Sequence, residues 1–472
     1  MAILVAASNA FAGGLLTNTN QNAAFVRNFA QEGKIDITSI YANPAGGAFL
    51  SRGWHLSLNN QTAFQRRIID TTFPLFETST QDPEETHKFV GKATAPFIPS
   101  LTVSFNRDKW SVSAHFAISG GGGKCEFDKG LGSFESIGAS IPPAITAGLV
   151  SNGLPAALGP NRYSINSSMK GRSYYFGLQI GGTYKILDNL SAYVGIRGLY
   201  ASCSYSGFVN DLVLSNSVTG ATALPSNLPA PYGGMPYIDL VRMNYGNAEP
   251  SIDLNCDQTA FGVTPIIGID WKINNHWNVS AKYEFRAKMN LKNSSQMSAM
   301  TQYLASTEKG KNLAQFKDGE KVREDVPALL ALGVEYSPIE KVRIDAAYHM
   351  FFDKDSKKYN DKQKDIKNNT MEFILGAEYD ICKLVTVSAS WEHTHYGLND
   401  NFMSDLSFNL SNHMVGAGVR FHVTKRFDID LGYMCTFYNS RDVTTEVAPN
   451  LLKKDHYERK NHTFGIGLNL HI

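Results

Sequence analysis

Long hydrophobic runs are missing from this sequence of 472 residues. Nowhere do about 18 apolar residues follow one another, which excludes a membrane-spanning α-helix. An excess of one charge is missing too, because 44 Lys and Arg residues stand against 43 Asp and Glu residues. Nucleic-acid binders need a basic surface, so we expect no nucleic-acid partner.

Cysteine is scarce, with five residues and no closely spaced pair. An odd number cannot be bridged completely within one chain, and the spacings of a metal site are missing, so we predict no metal and no cofactor. A bridge between Cys203 and Cys256, which flank one long connection, stays open. His393 and His395 share one face of a strand, but beside Trp391 an aromatic band is favoured over a metal site.

Glycine, tyrosine and phenylalanine are plentiful, at 40, 21 and 27 residues, whereas only 18% of the chain is charged. This composition favours short turns and strands over helical packing. Residues 277–288 alternate apolar with polar or charged side chains over a dozen positions, which indicates a strand. The segments with strand character number about fourteen: 51–60, 98–106, 109–119, 172–186, 190–206, 258–273, 277–288, 327–337, 341–352, 369–380, 384–396, 409–423, 426–438 and 464–472.

The connections between these segments alternate between short and long. Short turns occur at 106–109, 187–189, 274–276, 338–341, 381–383 and 424–426, and long loops at 61–97, 120–171, 207–257, 289–326, 353–368, 397–408 and 439–458. This alternation is typical of periplasmic turns and extracellular loops in the outer membrane of Gram-negative bacteria. The fold class is therefore predicted to be all-β, a transmembrane antiparallel β-barrel of about fourteen strands.

The two faces of the predicted strands would then meet different surroundings. The apolar faces would meet lipid, and the five tryptophans, which lie close to strand ends, would form interfacial girdles. The charged faces would line the lumen: Lys282, Glu284, Arg286, Arg343, Asp345, Glu372, Glu378, Asp428 and Asp430.

The N-terminus has the features of the tail of a secretory signal, with an apolar stretch before the small-x-small motif Ala10–Ala12. We assign residues 1–12 to a signal-peptide remnant; the missing basic start predicts that Met1 is a truncated or misplaced start. An ordinary buried segment is the alternative. Residues 13–50 show little alternation and are predicted to form an N-terminal hatch in the lumen, and residues 51–472 the barrel.

The residues before the first strand read SIYANPAG. Their Asn43, Pro44, Ala45 and Gly46 resemble the plug motif of FadL-type long-chain fatty acid and hydrocarbon transporters. The likeness continues through hairpin segments along the chain: GLQIGGTYKILDNLSAYVGIRG, FGVTPIIGIDWKINNHWNVSAKYEFRAKM, VPALLALGVEYSPIEKVRIDAAY, FILGAEYDICKLVTVSASW and VGAGVRFHVTKRFDIDLGY.

The resemblance implies a fourteen-stranded barrel blocked by an N-terminal hatch. It also implies capture of ligand in an apolar groove among the outer loops, and exit through a gap in the wall beside a kinked third strand. The predicted third strand, 109–119, holds no glycine or proline, and we expect Gly120–Gly123 to begin a flexible loop. Pro265 deletes one ladder hydrogen bond, at a bulge, at a wall opening or at a tolerated position near the strand's outer end.

Three groups of residues are candidates for contact with a ligand. Asn43, Pro44, Ala45 and Gly46 would gate the path or serve as a purely structural turn. Loops 207–257 and 289–326 are more apolar than exposed loops need be, and their candidates are Phe208, Leu212, Val213, Leu214, Leu240, Met297, Met300 and Leu304. The basic lumen candidates for a carboxylate are Arg197, Lys282, Arg286 and Arg343.

Together with the resemblance, these features predict passive uptake of long-chain fatty acids or similar hydrophobic molecules by a monomer in the bacterial outer membrane. Lysines in the loop after Asp353 would meet the phosphates of outer-membrane lipid and lipopolysaccharide. A surface-binding or structural barrel and a general porin are the alternatives. A barrel hydrolase is a further one, but no spacing of Ser and His indicates a nucleophile, so we predict no enzyme activity.

Overall fold

The computed structural model describes residues 20–244, 247–307 and 311–472. The signal-peptide remnant and hatch residues 13–19 lie outside this part of the chain. Seventeen antiparallel strands form one closed sheet: β1 Gly53–Thr72, β2 Thr86–Arg107, β3 Trp110–Phe127, β4 Arg162–Leu187, β5 Leu190–Ser215, β6 Ile252–Lys272, β7 Trp277–Glu284, β8 Asn290–Met297, β9 Lys321–Arg323, β10 Leu329–Ile339, β11 Val342–Phe351, β12 Ile366–Cys382, β13 Val385–Leu398, β14 Asn412–Thr424, β15 Phe427–Tyr438, β16 Arg441–Ala448 and β17 Leu451–His471.

The sheet is a barrel of fourteen wall positions, because β7 with β8, β9 with β10 and β15 with β16 each occupy one position. Each wall position pairs with the next one along the chain, and β1 closes the barrel against β17 from His55–His471 to Thr72–Lys454. Closure pairs the backbone of every wall position on both sides, which a sheet in lipid requires. The predicted fold class is confirmed.

The two faces of the wall differ as predicted. In β6, side chains from Cys256 to Asp270 are alternately buried and exposed. Large apolar side chains occupy the outer face all round the barrel, and all five tryptophans are among them. Eight of the nine charged residues predicted for the lumen face inward, whereas Arg286 lies in the break between β7 and β8 and is exposed. An outer apolar band and a polar lumen are the arrangement of a transmembrane barrel.

The short turns lie at one end of the barrel, here called the turn end, as predicted. The strands extend further toward the opposite end, the loop end, than the pattern indicated. The loops shrink to 73–85, 128–161, 216–251, 298–320, 352–365 and 399–411. The predicted loop 439–458 was wrong, since β16 and β17 form a hairpin there. The expectation that Gly120–Gly123 begins a loop was also wrong, because these glycines lie within β3.

The described residues form four α-helices, which lie inside the barrel or at its loop end: α1 Ala23–Arg27, α2 Gly132–Ser151, α3 Tyr237–Asn244 and α4 Ala299–Ser306. Among the described residues, no helix has the length and apolar character needed to cross a bilayer. The apolar core of the molecule is at the loop end, where α2, α3 and α4 cover the mouth of the barrel.

All five cysteines are free thiols. The bridge considered between Cys203 and Cys256 is therefore not formed, and Cys203 instead lies 3.3 Å from the hydroxyl of Ser173. Pro265 faces outward and pairs with Ile196. Its carbonyl accepts a hydrogen bond from the Phe285 N–H at 3.0 Å, near the place where β6 changes partner from β7 to β8. This proline thus marks a local irregularity of the ladder.

Candidate functional site

The hatch, described from residue 20 to residue 50, fills the lumen at the turn end. Its helix α1 packs against β14, β15 and β17, and its 3-10 turn Pro44–Phe49 packs against β3 to β6 on the other side. Nearly all of its side chains are buried. The turn end of the lumen is therefore closed.

Asn43 shapes the end of the hatch. Its Oδ1 accepts a hydrogen bond from the Gly46 N–H at 3.1 Å, which caps the 3-10 turn begun by Pro44. Its amide nitrogen donates to the Lys34 carbonyl at 3.1 Å and to the carboxylate of Asp270 on β6. An asparagine at this position satisfies the free end of the turn and joins the turn to the wall at once.

Two further hydrogen bonds hold the same turn. The hydroxyl of Thr183 donates to the Pro44 carbonyl at 3.0 Å, and that of Ser191 donates to the Ala45 carbonyl at 2.7 Å. The predicted motif is thus bound to three strands, β4, β5 and β6, at the turn end. These contacts indicate that the motif anchors the hatch to the wall. A gating role of the motif stays a prediction.

The other side of the hatch is held by buried ion pairs. Arg27 lies 2.8 Å from Glu378 and 2.7 Å from Asp430, and Lys34 lies 2.7 Å from Glu378 and 3.2 Å from Asp345. All five side chains are nearly inaccessible to solvent. Removing one partner of such a buried pair typically costs about 3–5 kcal/mol, because it leaves a charge uncompensated.

Asp36 of the hatch pairs with Arg420 of β14 at 2.6 Å. Burial acts to raise the pKa of Asp36, but the charge of Arg420 and its hydrogen bond outweigh burial and hold this pKa well below its usual range. A lowered pKa stabilises the folded state above the ordinary carboxyl pKa, and this contribution is lost only as the pH falls toward the lowered value. Mild acidification therefore leaves the Asp36–Arg420 pair intact.

Helix α1 lies directly on the backbone of the wall. An added Cβ at any of five wall glycines would come within 2.5–3.0 Å of an atom of residues 23–29. Such distances leave no room for a side chain, so glycine allows the close approach. The five residues are Gly416, Gly418, Gly432, Gly465 and Gly467.

Tyr41 is the part of the hatch that meets the charged residues of the wall. The Arg197 guanidinium lies 4.5 Å from its ring centre and the Lys282 ammonium 5.0 Å, and the His115 ring lies at 4.9 Å. Cations over an aromatic face are attracted to it. Both cations are shared with Glu284, which lies 2.6 Å from Arg197 and 2.8 Å from Lys282.

The four predicted lumen cations are all engaged by carboxylates of the chain itself. Their ion pairs are Arg197–Glu284 at 2.6 Å, Lys282–Glu284 at 2.8 Å, Arg286–Asp325 at 3.6 Å and Arg343–Asp380 at 2.6 Å. Three of the residues thus take part in ion pairs within the lumen, whereas Arg286 is paired outside it, in the break between β7 and β8. Their contact with a ligand carboxylate stays a prediction.

An apolar cavity, here called the outer cavity, opens at the loop end between three helices and the wall. Its empty space, including the part open to solvent, is about 440 Å³. Every side chain that lines it is apolar, which suits a greasy ligand. The lining residues are Ile137, Gly138, Ile141, Ile165, Val209, Leu212, Val241, Pro250, Ile252, Met300 and Leu304.

Three of the eight predicted loop residues, Leu212, Met300 and Leu304, line the outer cavity. Leu214, Leu240 and Met297 pack in the apolar core around it. Phe208 is half-buried on β5, and Val213 faces away from the lumen and is 51% exposed. Sequence reasoning missed the contribution of α2, although its apolar residues recur at helical spacing.

A second cavity, here called the inner cavity, lies further down the lumen. Its empty space, including the part open to solvent, is about 390 Å³. It contains one cation and one carboxylate among mostly apolar side chains. The lining residues are Arg67, Gly123, Cys125, Phe127, Leu131, Met169, Gly171, Tyr205, Asp405 and Leu406.

The two cavities follow one another along the same strands. On β4, Ile165 lines the outer cavity and Met169 lines the inner cavity. On β5, Val209 lines the outer cavity and Tyr205 lines the inner cavity. Four residues of a strand span about 13 Å. The inner cavity therefore lies below the outer cavity, on the way from the loop end into the lumen.

The wall is interrupted beside the inner cavity. Strands β2 and β3 pair from the turn end up to Ser100–Ala117, and pairing resumes only at Lys92–Glu126. We call the interval, formed by residues 93–99 and 118–125, the wall break. Gly123 belongs both to the wall break and to the lining of the inner cavity.

Residue types at the wall break explain the interruption. Pro96 and Pro99 have no N–H to donate to the neighbouring strand. Gly121 has φ +109°, and a Cβ there would collide with the carbonyl oxygen of Ser173; Gly123 has φ +65°. Only glycine adopts such conformations readily, so β3 bends away here. A kinked third strand, which the expected end of this strand at residue 119 had hidden, is thus present.

The fold is that of a plugged, fourteen-stranded transmembrane barrel, with one apolar and one mostly apolar cavity toward its loop end. No family profile and no characterised protein matches the sequence. The chain has the fold of a Pseudomonas aeruginosa FadL homologue, with a TM-score of 0.65 and 14% identity over 97% of this chain and 99% of that one.

Two further solved structures share the fold. The toluene transporter TodX of P. putida matches with a TM-score of 0.55 and 12% identity over 93% of this chain and 95% of that one. The toluene transporter TbuX of Ralstonia pickettii matches with a TM-score of 0.51 and 12% identity over 92% and 94%. The predicted likeness to FadL-type barrels is confirmed at the level of the fold.

Proposed function

We propose that this chain is an outer-membrane transporter for passive uptake of long-chain fatty acids or similar hydrophobic molecules. The observation that carries the proposal is the line of two cavities, one apolar and one mostly apolar, that leads from the loop end to the wall break. A water-filled pore would need no such path. The outer cavity takes the ligand up from the surface, and the inner cavity receives it next.

Binding in this path needs no energy source. Burying one methylene contributes about 0.8 kcal/mol, so a sheltered chain of about sixteen carbons could gain on the order of 12 kcal/mol. Release of the ligand is the harder step. Two cavities of moderate size, each with a moderate affinity, allow stepwise release better than one tight site would. The wall break beside the inner cavity offers a route sideways into the outer membrane. The hatch blocks the direct route to the periplasm.

Monoaromatic hydrocarbons are the second candidate cargo. Two of the solved structures with this fold are named toluene transporters, and the outer cavity is apolar throughout. Uptake of labelled oleate and labelled toluene, each into cells with and without the gene, separates the two cargoes. Gene-dependent uptake of oleate is the expected result, and equal uptake of both compounds with and without the gene would overturn the transporter proposal.

A general porin and a surface-binding or structural barrel are the rival functions. Planar-bilayer recordings test the first, because a barrel closed by the hatch should show no steady conductance. A steady open conductance would favour the porin. Binding of a host or phage protein without any gene-dependent uptake would favour the surface-binding barrel. We propose no enzymatic step for this chain, and a monomer as its working form.

A further inference from the structure

Three cations stand side by side on the outer face of the barrel, and we call them the basic row. Arg66 of β1 is directly opposite Lys92 of β2 on one side and directly opposite Lys460 of β17 on the other. All three residues are exposed. Because Arg67 lines the inner cavity and successive side chains of a strand point to opposite faces, Arg66 points outward. Residues directly opposite one another share a face, so the whole row is on the outer surface.

The basic row has no counter-charge of its own. Among the residues that the structure describes, no carboxylate lies within ion-pair distance of Arg66, Lys92 or Lys460. The acids of the surrounding outer face are engaged by other residues: Asp70 lies 3.4 Å from Lys88, Glu126 lies 2.6 Å from Lys170, and Glu458 lies 3.6 Å from His456. Like charges at opposite positions of neighbouring strands destabilise a sheet. The row is therefore unfavourable unless an anion lies against it.

The height of the row on the barrel places it at the edge of the membrane. Trp54 is exposed near the turn end of β1, where an interfacial aromatic belongs. Arg66 lies twelve positions further along the same strand, which is about 40 Å of strand, or about 30 Å across the membrane at a tilt of about 40°. The apolar band of such barrels is about 25 Å tall. The basic row thus lies just beyond the band, on the loop side.

The basic surface continues beyond the row onto β3 and β4. Lys92 is opposite Glu126 of β3, where pairing resumes on the loop side of the wall break. Glu126 lies 3.3 Å from Lys124 and 2.6 Å from Lys170, and the exposed Arg172 is opposite Lys124. This part of the outer face therefore adds three cations and only one acid. An excess of positive charge covers the wall from β17 to β4.

We propose that the basic row binds the phosphate groups of a phosphorylated glycolipid, the lipid A part of lipopolysaccharide, whose acyl chains lie on the apolar band below. Basic clusters beside the apolar surface of a membrane protein attract anionic head groups. Arg66 suits a phosphate because its planar fork donates two parallel hydrogen bonds, and the two lysines add point charges on either side. The bound lipid relieves the repulsion within the row. This inference does not depend on the cargo of the barrel.

The test uses the full-length protein in a detergent with an uncharged head group. The probes are labelled lipid A with two phosphates and the same lipid without its phosphates. The triple variant Arg66→Gln, Lys92→Gln and Lys460→Gln should bind the phosphorylated lipid about a hundredfold more weakly, since each basic residue near an anionic lipid contributes roughly fivefold. Its binding of the lipid without phosphates should not change.

A matched control removes the same number of charges at the other end of the barrel. Lys109, Lys272 and Lys383 are exposed at the turn end, about the thickness of the bilayer away from the row. The triple variant Lys109→Gln, Lys272→Gln and Lys383→Gln should keep the wild-type affinity for phosphorylated lipid A. An equal loss in both triple variants would assign the effect to net charge and overturn the site.

Thermal unfolding separates a lipid site from a structural role. Without lipid, the triple variant of the basic row should unfold at the same or a higher temperature than the wild type, because it removes facing like charges. Added phosphorylated lipid A should raise the unfolding temperature of the wild type and of the control, but not of this variant. A structural role would instead lower the unfolding temperature without lipid.

The remaining outcomes decide which anion the row recognises. Equal affinity of the basic-row variant and the wild type for phosphorylated lipid A would overturn the proposal. Phosphatidylglycerol that binds the wild type as tightly as lipid A, or inorganic phosphate that displaces lipid A, would show a general anion site and overturn the assignment to the glycolipid. Weak binding of both competitors is the expected result.

Discussion

The two halves of the lumen are built from different interactions. At the turn end, the hatch meets the wall through hydrogen bonds and buried ion pairs such as Arg27–Glu378. At the loop end, the space between helices and wall is lined by aliphatic side chains. Directional contacts hold a fixed plug in one geometry, whereas apolar surfaces accept many shapes of greasy ligand. Under the proposed function, the first half closes the barrel and the second half captures the ligand.

A substitution of Glu378 should disrupt the closed half of the lumen most severely. Its carboxylate forms ion pairs with Arg27 at 2.8 Å, with Lys34 at 2.7 Å and with Arg343 at 3.0 Å. Glu378→Gln leaves the two hatch cations less compensated and should destabilise the seated hatch by about 3–5 kcal/mol. We expect a steady conductance in planar bilayers. The control Asp380→Asn, which weakens only a contact within the wall, should stay closed, and equal conductance in both variants would contradict the assignment.

A substitution in the wall break tests the region between the two halves of the lumen. Gly121→Ala places a Cβ against the backbone of Ser173 at φ +109°, a conformation that alanine avoids. Uptake of oleate by cells should fall more than about tenfold if the bend of β3 is the exit, because an unfavourable backbone closes or distorts it. Binding at the loop end should be retained. Gly182→Ala in β4 is the control, since Gly182 is exposed on the outer face and its nearest neighbour lies 3.8 Å away; an equal loss there would separate uptake from the bend.

The capture half is tested at Ile141 of α2, which lines the outer cavity. Ile141→Ala removes about three carbons of apolar surface, or about 2 kcal/mol of burial, so oleate should bind roughly thirtyfold more weakly. Equilibrium binding to the purified protein measures this. Val150→Ala changes an exposed residue of the same helix and should leave the affinity unaltered. Identical affinities in the two variants would remove the outer cavity from the path.

Asn43 gives the smallest expected effect. Asn43→Ala removes the cap of the 3-10 turn and should loosen the end of the hatch by about 1 kcal/mol. Limited proteolysis of the hatch should become faster, whereas conductance stays closed because the ion pairs of the other side remain. Asn275→Ala in an exposed turn is the control. A steady conductance of Asn43→Ala alone would support a gating role of this motif.

Much of the barrel could be predicted from the sequence because its signals are local. Alternation along 277–288 and the short turns depend on neighbouring residues only. The contacts of the hatch could not be predicted from the sequence, because barrel closure brings together residues as distant along the chain as Arg27 and Asp430. Which carboxylate faces which cation depends on strand register, which a pattern of charges does not contain.

Helix α2 was missed for a different reason. Ile137, Ile141, Ile145 and Leu149 recur every four residues and are all buried, so the helical signal was present. Pro142 and Pro143 interrupt it and favour a loop assignment. The kink of β3 was hidden likewise, because a run of glycines is typical of a loop in most sequences and bends a strand here.

The wall break also bears on how a barrel in lipid can tolerate an interruption of strand pairing. Every unpaired N–H that faces hydrocarbon costs several kcal/mol, so a break made of ordinary residues would be expensive to expose. Pro96 and Pro99 carry no N–H, so the edge of β2 offers lipid fewer polar groups than its length implies. Phe97 between them is 70% exposed. An edge of this composition is compatible with direct contact between the lumen and the bilayer.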